Sequence, residues 1–278
     1  MTMFLPARFP VHTPFVVLLA ALMVVVFAPI PAGAQAETHS CVDKATLTRL
    51  SYPLAHMAQR IAAGHSVTIV ALGSSSTAGA GASGPAASYP NRLEAELKAR
   101  FPGVDITVLN RGVNGDVAAD MLARFDESVA AAHPDVVLWQ VGTNAVLRDD
   151  PLAPVDRLVH AGIARIKAIG ADVVLIDPQF APKVLSKADA EEMIQIISSA
   201  AKQTVVDLFP RFAVMREWHD LDGVPFEAFL SADLLHMNDW GYACLAKLLT
   251  AAMVDAVTRS PVVETGVVTH AGNQARPR

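Results

Sequence analysis

Short apolar runs rich in β-branched residues alternate along the chain with longer stretches in which apolar residues recur at helical spacing. The runs are of strand length and almost continuously apolar, which is typical of strands that are covered on both faces. We predict five such strands, at residues 67–72, 106–110, 136–141, 173–176 and 204–209.

The longer stretches predict the helices of the fold. Because strands and helices alternate at this spacing, consecutive strands form right-handed βαβ units and therefore a parallel sheet. We predict an α/β fold in which helices cover both faces of a five-stranded parallel sheet, a three-layer α/β/α sandwich. The predicted helices span residues 44–63, 90–100, 117–132, 154–169, 187–202 and 240–257.

The N-terminal segment has the features of a secretory signal peptide. Arg8 precedes an unbroken apolar run at residues 15–28, and prolines and small residues follow this run. A membrane anchor is the alternative, but a membrane-spanning helix needs about 20 apolar residues and this run is shorter. We therefore expect a signal peptide within residues 1–36, cleaved after Ala34 or Ala36, and a secreted or periplasmic protein without a stable membrane span.

The rest of the chain is predicted to form one domain at residues 37–258, because no linker, repeat or composition shift divides it. Residues 259–278 lack hydrophobic periodicity and are predicted to be a disordered tail. Of the 278 residues, 52% are hydrophobic and 18% charged, which excludes a disordered or highly charged protein. The net charge of −5 provides no surface that neutralises phosphates, so nucleic acid is not an expected partner.

Cys41 and Cys244 are the only two cysteines of the chain. In an oxidising compartment they permit one disulfide, and two buried free thiols are the alternative. Neither cysteine occurs with other cysteines or histidines at the spacing of a zinc site. We therefore expect neither a metal ion nor a cofactor.

Serine, glycine, asparagine and an aspartate–histidine pair fall in loops that follow the predicted strands or precede the last helix. In an open parallel sheet these loops share one edge, where ligands bind. A serine hydroxyl becomes a nucleophile when a histidine accepts its proton and a carboxylate orients that histidine. Asp233 and His236 are three residues apart, so one turn can bring both side chains to the same face. The loops span residues 73–79, 110–116, 142–145 and 233–236.

These four segments, in this order, resemble the four sequence blocks of the SGNH hydrolases, the GDSL esterase/lipase superfamily. The resemblance extends over residues 67–249 and implies a flavodoxin-like sheet with strand order 2-1-3-4-5. Residues 73–75, with the sequence Gly-Ser-Ser, match the Gly-Asp-Ser block of the family, which implies that Ser75 is the nucleophile. The last block implies that His236 is the base and that Asp233 orients it.

The resemblance also implies an oxyanion hole, which stabilises the negative charge that develops on an ester carbonyl oxygen during acyl transfer. Its donors are the backbone N–H groups of Ser75 and Gly115 and the side-chain amide of Asn144. Gly112 competes with Gly115 for the second position. The family pattern favours Gly115, because it places a polar residue directly after the functional glycine.

Rival candidates exist for the nucleophile and for the base. Because three serines are consecutive, Ser74 or Ser76 is the nucleophile if the loop is offset by one residue. His219 is a rival base, but it lacks an acid three residues earlier. Ser74 also stands where the family usually has aspartate, and Ala145 stands where an aspartate often follows the asparagine. Neither of these two positions carries a proton transfer in the family, so activity is still expected.

Three further signals are weaker. Residues 79–84 spell G-x-G-x-x-G, but the match begins several residues after the strand, so we predict a flexible rim of the active site rather than a dinucleotide loop. Residues 220–223 lack most ligands of a calcium loop and are predicted to be a surface turn. Gln179 follows the fourth predicted strand, and by position alone we predict that it lines the cleft.

Together these features predict an exported serine esterase that hydrolyses short acyl esters, acetyl esters foremost, through an acyl-enzyme on Ser75. Small esters and acylated carbohydrate or cell-envelope polymers are the expected substrates. A thioesterase, a lipase and an acyltransferase are alternatives within the enzymes. A catalytically silent polysaccharide-binding module on the same fold is the alternative outside them, since fold does not fix function.

Overall fold

The computed structural model describes Cys41 and residues 44–259. The predicted signal peptide lies outside the described residues, as does the predicted tail apart from its first residue, Arg259. That arginine is attached to the domain, because its guanidinium donates hydrogen bonds to the Leu50 carbonyl at 2.7 Å and to the Asp255 carboxylate at 2.8 Å.

The described residues form one five-stranded sheet with the order β2-β1-β3-β4-β5. All neighbouring strands are parallel. This topology confirms the predicted fold class and strand order. The strands are β1 (Val67–Gly73), β2 (Ile106–Gly112), β3 (Val136–Gln140), β4 (Asp172–Ile176) and β5 (Asp207–Phe209).

Helices precede, connect and follow the strands and cover both faces of the sheet. Two short 3-10 turns lie at Pro85–Ala87 and Ala130–Ala132. Several of the helices are single turns in the loops at the sheet edge. In the part of the chain that the structure describes, the α-helices are α1 (Ala45–Thr48), α2 (Ala55–Ala62), α3 (Ser75–Ala78), α4 (Tyr89–Arg100), α5 (Ala118–Ala123), α6 (Phe125–Ser128), α7 (Thr143–Leu147), α8 (Leu152–Ala168), α9 (Pro182–Leu185), α10 (Ala190–Thr204), α11 (Arg211–Asp220), α12 (Phe226–Phe229) and α13 (Asp239–Thr258).

Three predicted elements differ from the structure. The helix predicted at 44–63 is two helices, α1 and α2, because Pro53 disfavours helical geometry at the residue before it. The helix predicted at 117–132 is divided into α5, α6 and a 3-10 turn, and the chain leaves helical geometry at Val129, where φ is −120°. The strand predicted at 204–209 begins only at Asp207. Helix α10 instead extends to Thr204, and the next residue, Val205, terminates it with a left-handed φ of 55°.

Helix α11 was not predicted, although it is ten residues long. Its buried face includes Phe212, Met215 and Trp218, which follow helical spacing, but it begins with Arg211, which is also completely buried. A charged residue at a buried position adds nothing to the apolar periodicity on which such a prediction depends. Hydrogen bonds from the Arg211 guanidinium to the Asp177 carbonyl and to Gln179 Oε1 compensate for its burial.

Two buried clusters lie on the two faces of the sheet, with alternate residues of β1 assigned to each. Helix α13 packs within one of them. By length and composition α13 could cross a membrane, but 67% of its most apolar window is buried, so its composition is that of a core helix. Cys244 of α13 forms a disulfide with Cys41, with a Cα–Cα distance of 5.3 Å. The bridge attaches Cys41 to the core.

Candidate active site

Glycines at the ends of β1 and β2 allow helix α3 to pack directly against the strand ends. A Cβ on Gly73 would lie 2.1 Å from Thr77 Oγ1, and one on Gly112 would lie 2.1 Å from the Ala78 nitrogen. Any larger residue at either position would push α3 away from the sheet. The tight turn places Ser75, the first residue of α3, at the carboxyl edge of the sheet.

The three consecutive serines have different surroundings. Ser74 and Ser76 are buried, whereas Ser75 is partly exposed. The Ser74 backbone N–H and hydroxyl both donate to Gln140 Oε1, each at 3.0 Å, so this side chain is held inside the protein. Of the three hydroxyls, the Ser75 hydroxyl is the one within hydrogen-bond distance of a histidine.

That histidine is His236. Its Nε2 lies 2.8 Å from Ser75 Oγ, and its Nδ1 lies 2.5 Å from Asp233 Oδ2. The turn before α13 therefore brings the predicted base and the Asp233 carboxylate to one face. Within this turn Leu234 adopts a left-handed φ of 56°, a conformation that is costly for a branched side chain.

The Asp233 carboxylate is held by four donors. Oδ2 meets the His236 ring, and Oδ1 accepts hydrogen bonds from the Ser231 hydroxyl at 2.7 Å and from the backbone N–H groups of Leu235 and His236 at 3.0 and 2.9 Å. Partial burial alone would raise the pKa of Asp233, but these hydrogen bonds outweigh it and hold the pKa well below its ordinary value. Asp233 is therefore an anion at neutral pH.

The backbone around Gly115 is accessible for a further hydrogen bond. Gly115 has a φ of 86°, in the region that glycine favours, and its N–H has no acceptor among the described residues. The N–H of Gly112, by contrast, donates to Asn110 Oδ1 at 3.0 Å. The alternative prediction, that Gly112 is the second oxyanion donor, is therefore unsupported, because its N–H already has an acceptor. A glycine is needed here for packing, because a Cβ would collide with α3.

Asn144 lies in the first turn of α7 and faces the Gly115 turn. Its Nδ2 donates to the Asp116 carbonyl at 2.9 Å. A side-chain amide has two N–H bonds, so one remains for a ligand. This hydrogen bond joins the second and third predicted blocks.

Two arginines for which no prediction was made fix these turns. Arg124 donates to Asp116 Oδ2 at 2.8 Å and to the carbonyls of Arg111 and Gly73 at 2.9 and 3.2 Å. Arg148 Nη2 donates to the Gly115 carbonyl at 2.5 Å. No local sequence signal indicates either residue, because each acts on turns distant in sequence.

The G-x-G-x-x-G segment packs against the histidine loop. A Cβ on Gly81 would lie 2.9 Å from His236 Cβ and 2.5 Å from the Met237 carbonyl oxygen. The Tyr242 hydroxyl donates to the Ala80 carbonyl at 2.7 Å, and the Ser83 hydroxyl donates to Asp239 at 2.6 Å. The segment therefore differs from the flexible rim that we predicted, because hydrogen bonds attach it to α13.

The remaining candidates lie away from Ser75. The ring of His219 stacks on Phe226 at a centroid distance of 4.0 Å, and its Nδ1 meets the Val224 carbonyl at 3.1 Å. Asp222 forms an ion pair with Lys44 at 2.8 Å. None of these contacts involves the serine, so His219 is part of an aromatic cluster rather than a rival base.

Gln179 was predicted to line the cleft. It is instead buried beneath the site, with 1% of its surface exposed. The predicted position at the carboxyl end of the fourth strand is correct, but the side chain is buried and does not line the cleft.

The chain is similar to known proteins in sequence and in fold. The sequence model of the non-GDSL lipase-like family matches residues 40–259. An arylesterase of Vibrio mimicus is 30% identical over 126 residues, which are 44% of this chain and 62% of that protein. An acetylxylan esterase of Geobacillus stearothermophilus is 40% identical over 52 residues, 19% of this chain and 24% of that protein.

Among solved structures, a two-domain esterase active on acetylated mannans and crystallised with mannopentaose has a similar fold. The TM-score is 0.64 at 21% sequence identity, over 77% of this chain and 56% of the esterase chain. At this identity the likeness concerns the fold alone. The chain spans less than two thirds of the length of each of these three relatives.

Proposed function

The chain belongs to the non-GDSL lipase-like family and, with it, to the SGNH hydrolase superfamily, and from this membership we propose that it is a carboxylic ester hydrolase with Ser75 as its nucleophile. The observation that carries the proposal is the continuous contact from Ser75 Oγ through the His236 ring to Asp233, with distances of 2.8 and 2.5 Å. This is the arrangement that makes a serine hydroxyl nucleophilic.

In the proposed reaction, Ser75 Oγ attacks the ester carbonyl carbon while His236 Nε2 accepts the hydroxyl proton. The tetrahedral intermediate then collapses, the C–O bond to the alcohol breaks, and His236 returns the proton to the departing alcohol oxygen. Water attacks the acyl group on Ser75 by the same route and releases the acid. Asp233 fixes the ring tautomer and stabilises the imidazolium that forms in each half of the reaction.

The proposed oxyanion hole consists of the N–H groups of Ser75 and Gly115 and the free Nδ2–H of Asn144. These donors are fixed before substrate arrives, because Arg148 holds the Gly115 carbonyl and Asn144 holds the Asp116 carbonyl. Donors that need not reorganise during the reaction stabilise the transition state by about 3 kcal/mol each.

We propose acetyl esters, borne on carbohydrate, as the substrate class. The Asp233 side chain is 40% exposed and that of His236 15%, which suits a shallow site that a polymer can approach. Relatives named as an acetylxylan esterase and as an esterase active on acetylated mannans support the same class. Export through the predicted signal peptide would bring the enzyme to such polymers.

Hydrolysis of a chain-length series of 4-nitrophenyl esters, beside acetylated xylan and mannan oligosaccharides, tests the proposal. We expect the fastest turnover with acetyl, labelling of the protein by a fluorophosphonate probe, and loss of both in Ser75→Ala by about 10⁴-fold or more. Undiminished labelling in Ser75→Ala would refute the assignment of the nucleophile.

The same assays distinguish the competing functions. A wild-type protein that neither labels nor hydrolyses any ester would indicate a silent polysaccharide-binding module. Preference for long acyl chains would indicate a lipase, preference for thioesters a thioesterase, and transfer of the acyl group to a sugar an acyltransferase.

A further inference from the structure

A side-chain amide beneath the site joins two of its loops. Gln179 Oε1 accepts hydrogen bonds from Thr143 Oγ1 and from Arg211 Nη2, each at 2.9 Å. Gln179 Nε2 donates to the Leu235 carbonyl at 3.3 Å. Thr143, Gln179 and Arg211 are all buried, so water does not compete with the two hydrogen bonds to Gln179 Oε1.

The partners of Gln179 are the immediate neighbours of site residues. Thr143 precedes Asn144, and Leu235 precedes His236. We propose that Gln179 is a positioning residue that sets the distance between the oxyanion donor Asn144 and the base His236. This inference rests on the proposed esterase function and assigns to Gln179 no contact with the substrate.

Arg211 determines which way the amide points. With two donors directed at Oε1, the amide NH₂ must face the Leu235 carbonyl. Arg211 is itself fixed, because its Nε donates to the Asp177 carbonyl at 2.9 Å, and the next backbone N–H, of Phe212, donates to the Asp177 carboxylate at 2.9 Å. The buried arginine at the start of α11 thus acts on the histidine loop through Gln179.

The same network reaches the nucleophile. Gln140 Oε1 accepts the Ser74 backbone and side-chain hydrogen bonds, and Gln140 Nε2 contacts Thr143 Oγ1 at 3.5 Å, a longer and weaker contact. A chain of buried side chains therefore runs from the residue before Ser75 to the residue before His236. Interiors packed in this way resist small displacements, and a shift of 1 Å at a site can lower the rate about 100-fold.

The substitution Gln179→Glu tests the inference. Glutamate has the same shape and still accepts from Thr143 and Arg211, but it places an oxygen instead of an N–H against the Leu235 carbonyl. We expect kcat for 4-nitrophenyl acetate to fall by about 10- to 100-fold while KM changes by less than about twofold. The melting temperature should not fall, because the new carboxylate lies beside the Arg211 guanidinium.

Gln203→Glu is the matched control, because Gln203 is exposed near the C-terminal end of α10, at the opposite edge of the sheet. It should leave kcat and KM unchanged. Wild-type kcat in a folded Gln179→Glu variant would overturn the inference, and so would a loss that merely follows the unfolded fraction. If the wild type itself neither labels nor hydrolyses esters, the proposed function fails and this inference fails with it.

A second pair of variants keeps the inference testable if Gln179→Glu does not fold. Thr143→Val removes the hydroxyl donor at nearly constant volume, and Thr143→Ser keeps it. We expect Thr143→Val to lose more kcat than Thr143→Ser. In the Thr143→Val, Gln179→Glu double variant, the loss should be smaller than the product of the two single losses, because Thr143→Val removes the contact at one side of the Gln179 amide and Gln179→Glu removes the contact at the other side of the same link. Equal activity of the two Thr143 variants, or strictly multiplicative losses, would contradict a shared positioning role.

Discussion

Two aspartate–histidine pairs lie at opposite edges of the sheet. At the carboxyl edge Asp233 holds His236, and at the amino edge Asp135 lies 2.9 Å from His56 Nε2. The second ring nitrogen of His236 meets the Ser75 hydroxyl. The His56 side chain is 43% exposed, and no hydrogen bond joins it to a hydroxyl among the described residues. The pair alone therefore does not make a site, which needs the hydroxyl and the oxyanion donors as well.

The carboxylates of the two edges also differ in charge behaviour. At the amino edge, burial raises the pKa of Asp172 and raises that of Asp207 to about 6. Hydrogen bonds from backbone N–H groups lower the pKa of both acids, but burial outweighs them. Asp172 accepts the N–H groups of His56 and Met57 at the start of α2. Asp233 instead has four donors and remains an anion. Asp172 and Asp207 thus hold backbone N–H groups, whereas Asp233 holds the proposed base His236.

The largest expected effect distinguishes the two histidines directly. His236→Asn removes the proposed base and should lower kcat/KM for 4-nitrophenyl acetate by about 10⁴-fold or more. His56→Asn makes the same change at the amino edge and should leave kcat/KM within about twofold of wild type. Steady-state kinetics with both variants measures the contrast. Melting temperatures close to that of the wild type show that both variants are folded. Equal losses in the two variants would mean that the histidines do not differ in role.

The next effect concerns the proposed oxyanion donors at the carboxyl edge. Asn144→Ala removes the free Nδ2–H and should lower kcat by about 10²- to 10³-fold with little change in KM, because the hydrogen bond forms mainly in the transition state. Fluorophosphonate labelling of Ser75 should also slow. A rise in KM at constant kcat would instead assign Asn144 to substrate binding.

The carboxyl edge was predictable from sequence where its signals are local. The strands appear as apolar runs, and the segments around Ser75, Asn144 and His236 each lie within a few residues of a strand or helix end. Parallel topology then brings these ends together without any knowledge of long-range contacts. The sheet order and the positions of the site residues relative to it follow from that topology together with the family resemblance.

The network beneath the edge was not predictable, because its members interact over long sequence separations. Gln140 contacts Ser74 from 66 positions away and Gln179 contacts Leu235 from 56. Two local signals were available, Gln140 within the apolar run of the third strand and Gln179 after the fourth strand, but neither indicates its distant partners. Arg211 is the clearest case, because nothing near it in the sequence predicts that a charged residue is buried and contacts Gln179.

At the amino edge the contrast in charge predicts a pH effect on stability. Folded Asp207 has a pKa of about 6 against an ordinary value of 3.8, so the folded state binds more protons than the unfolded state between these values. The free energy of unfolding therefore decreases as the pH rises from about 4 to about 6, and the full decrease is present above about pH 6. Asp207→Asn still accepts the Tyr52 N–H but cannot ionise.

We expect the stability of Asp207→Asn relative to wild type to be higher at pH 7.5 than at pH 4 by about 2 kcal/mol. Urea unfolding of both proteins at the two pH values measures this difference, in which the contributions of groups that do not interact with Asp207 cancel. A relative stability that does not change with pH would show that Asp207 is not buried as an acid in the folded protein.

The smallest effect tests how crowded the carboxyl edge is. Gly64 and Gly170, in loops at the amino edge, would have open space around a Cβ, whereas a Cβ on Gly81 would meet His236 Cβ and the Met237 carbonyl. Gly81→Ala should therefore displace the base and lower kcat about tenfold, more than it raises KM.

Gly84→Ala is the matched control for Gly81→Ala, because Gly84 lies in the same segment, has extended backbone (φ 176°) and has no atom within 4 Å of its Cβ position. Since Gly81 also has a left-handed φ of 87°, both variants must be compared at equal folded fraction. If the two alanines then reduce kcat equally, the effect comes from the segment as a whole and not from contact with His236.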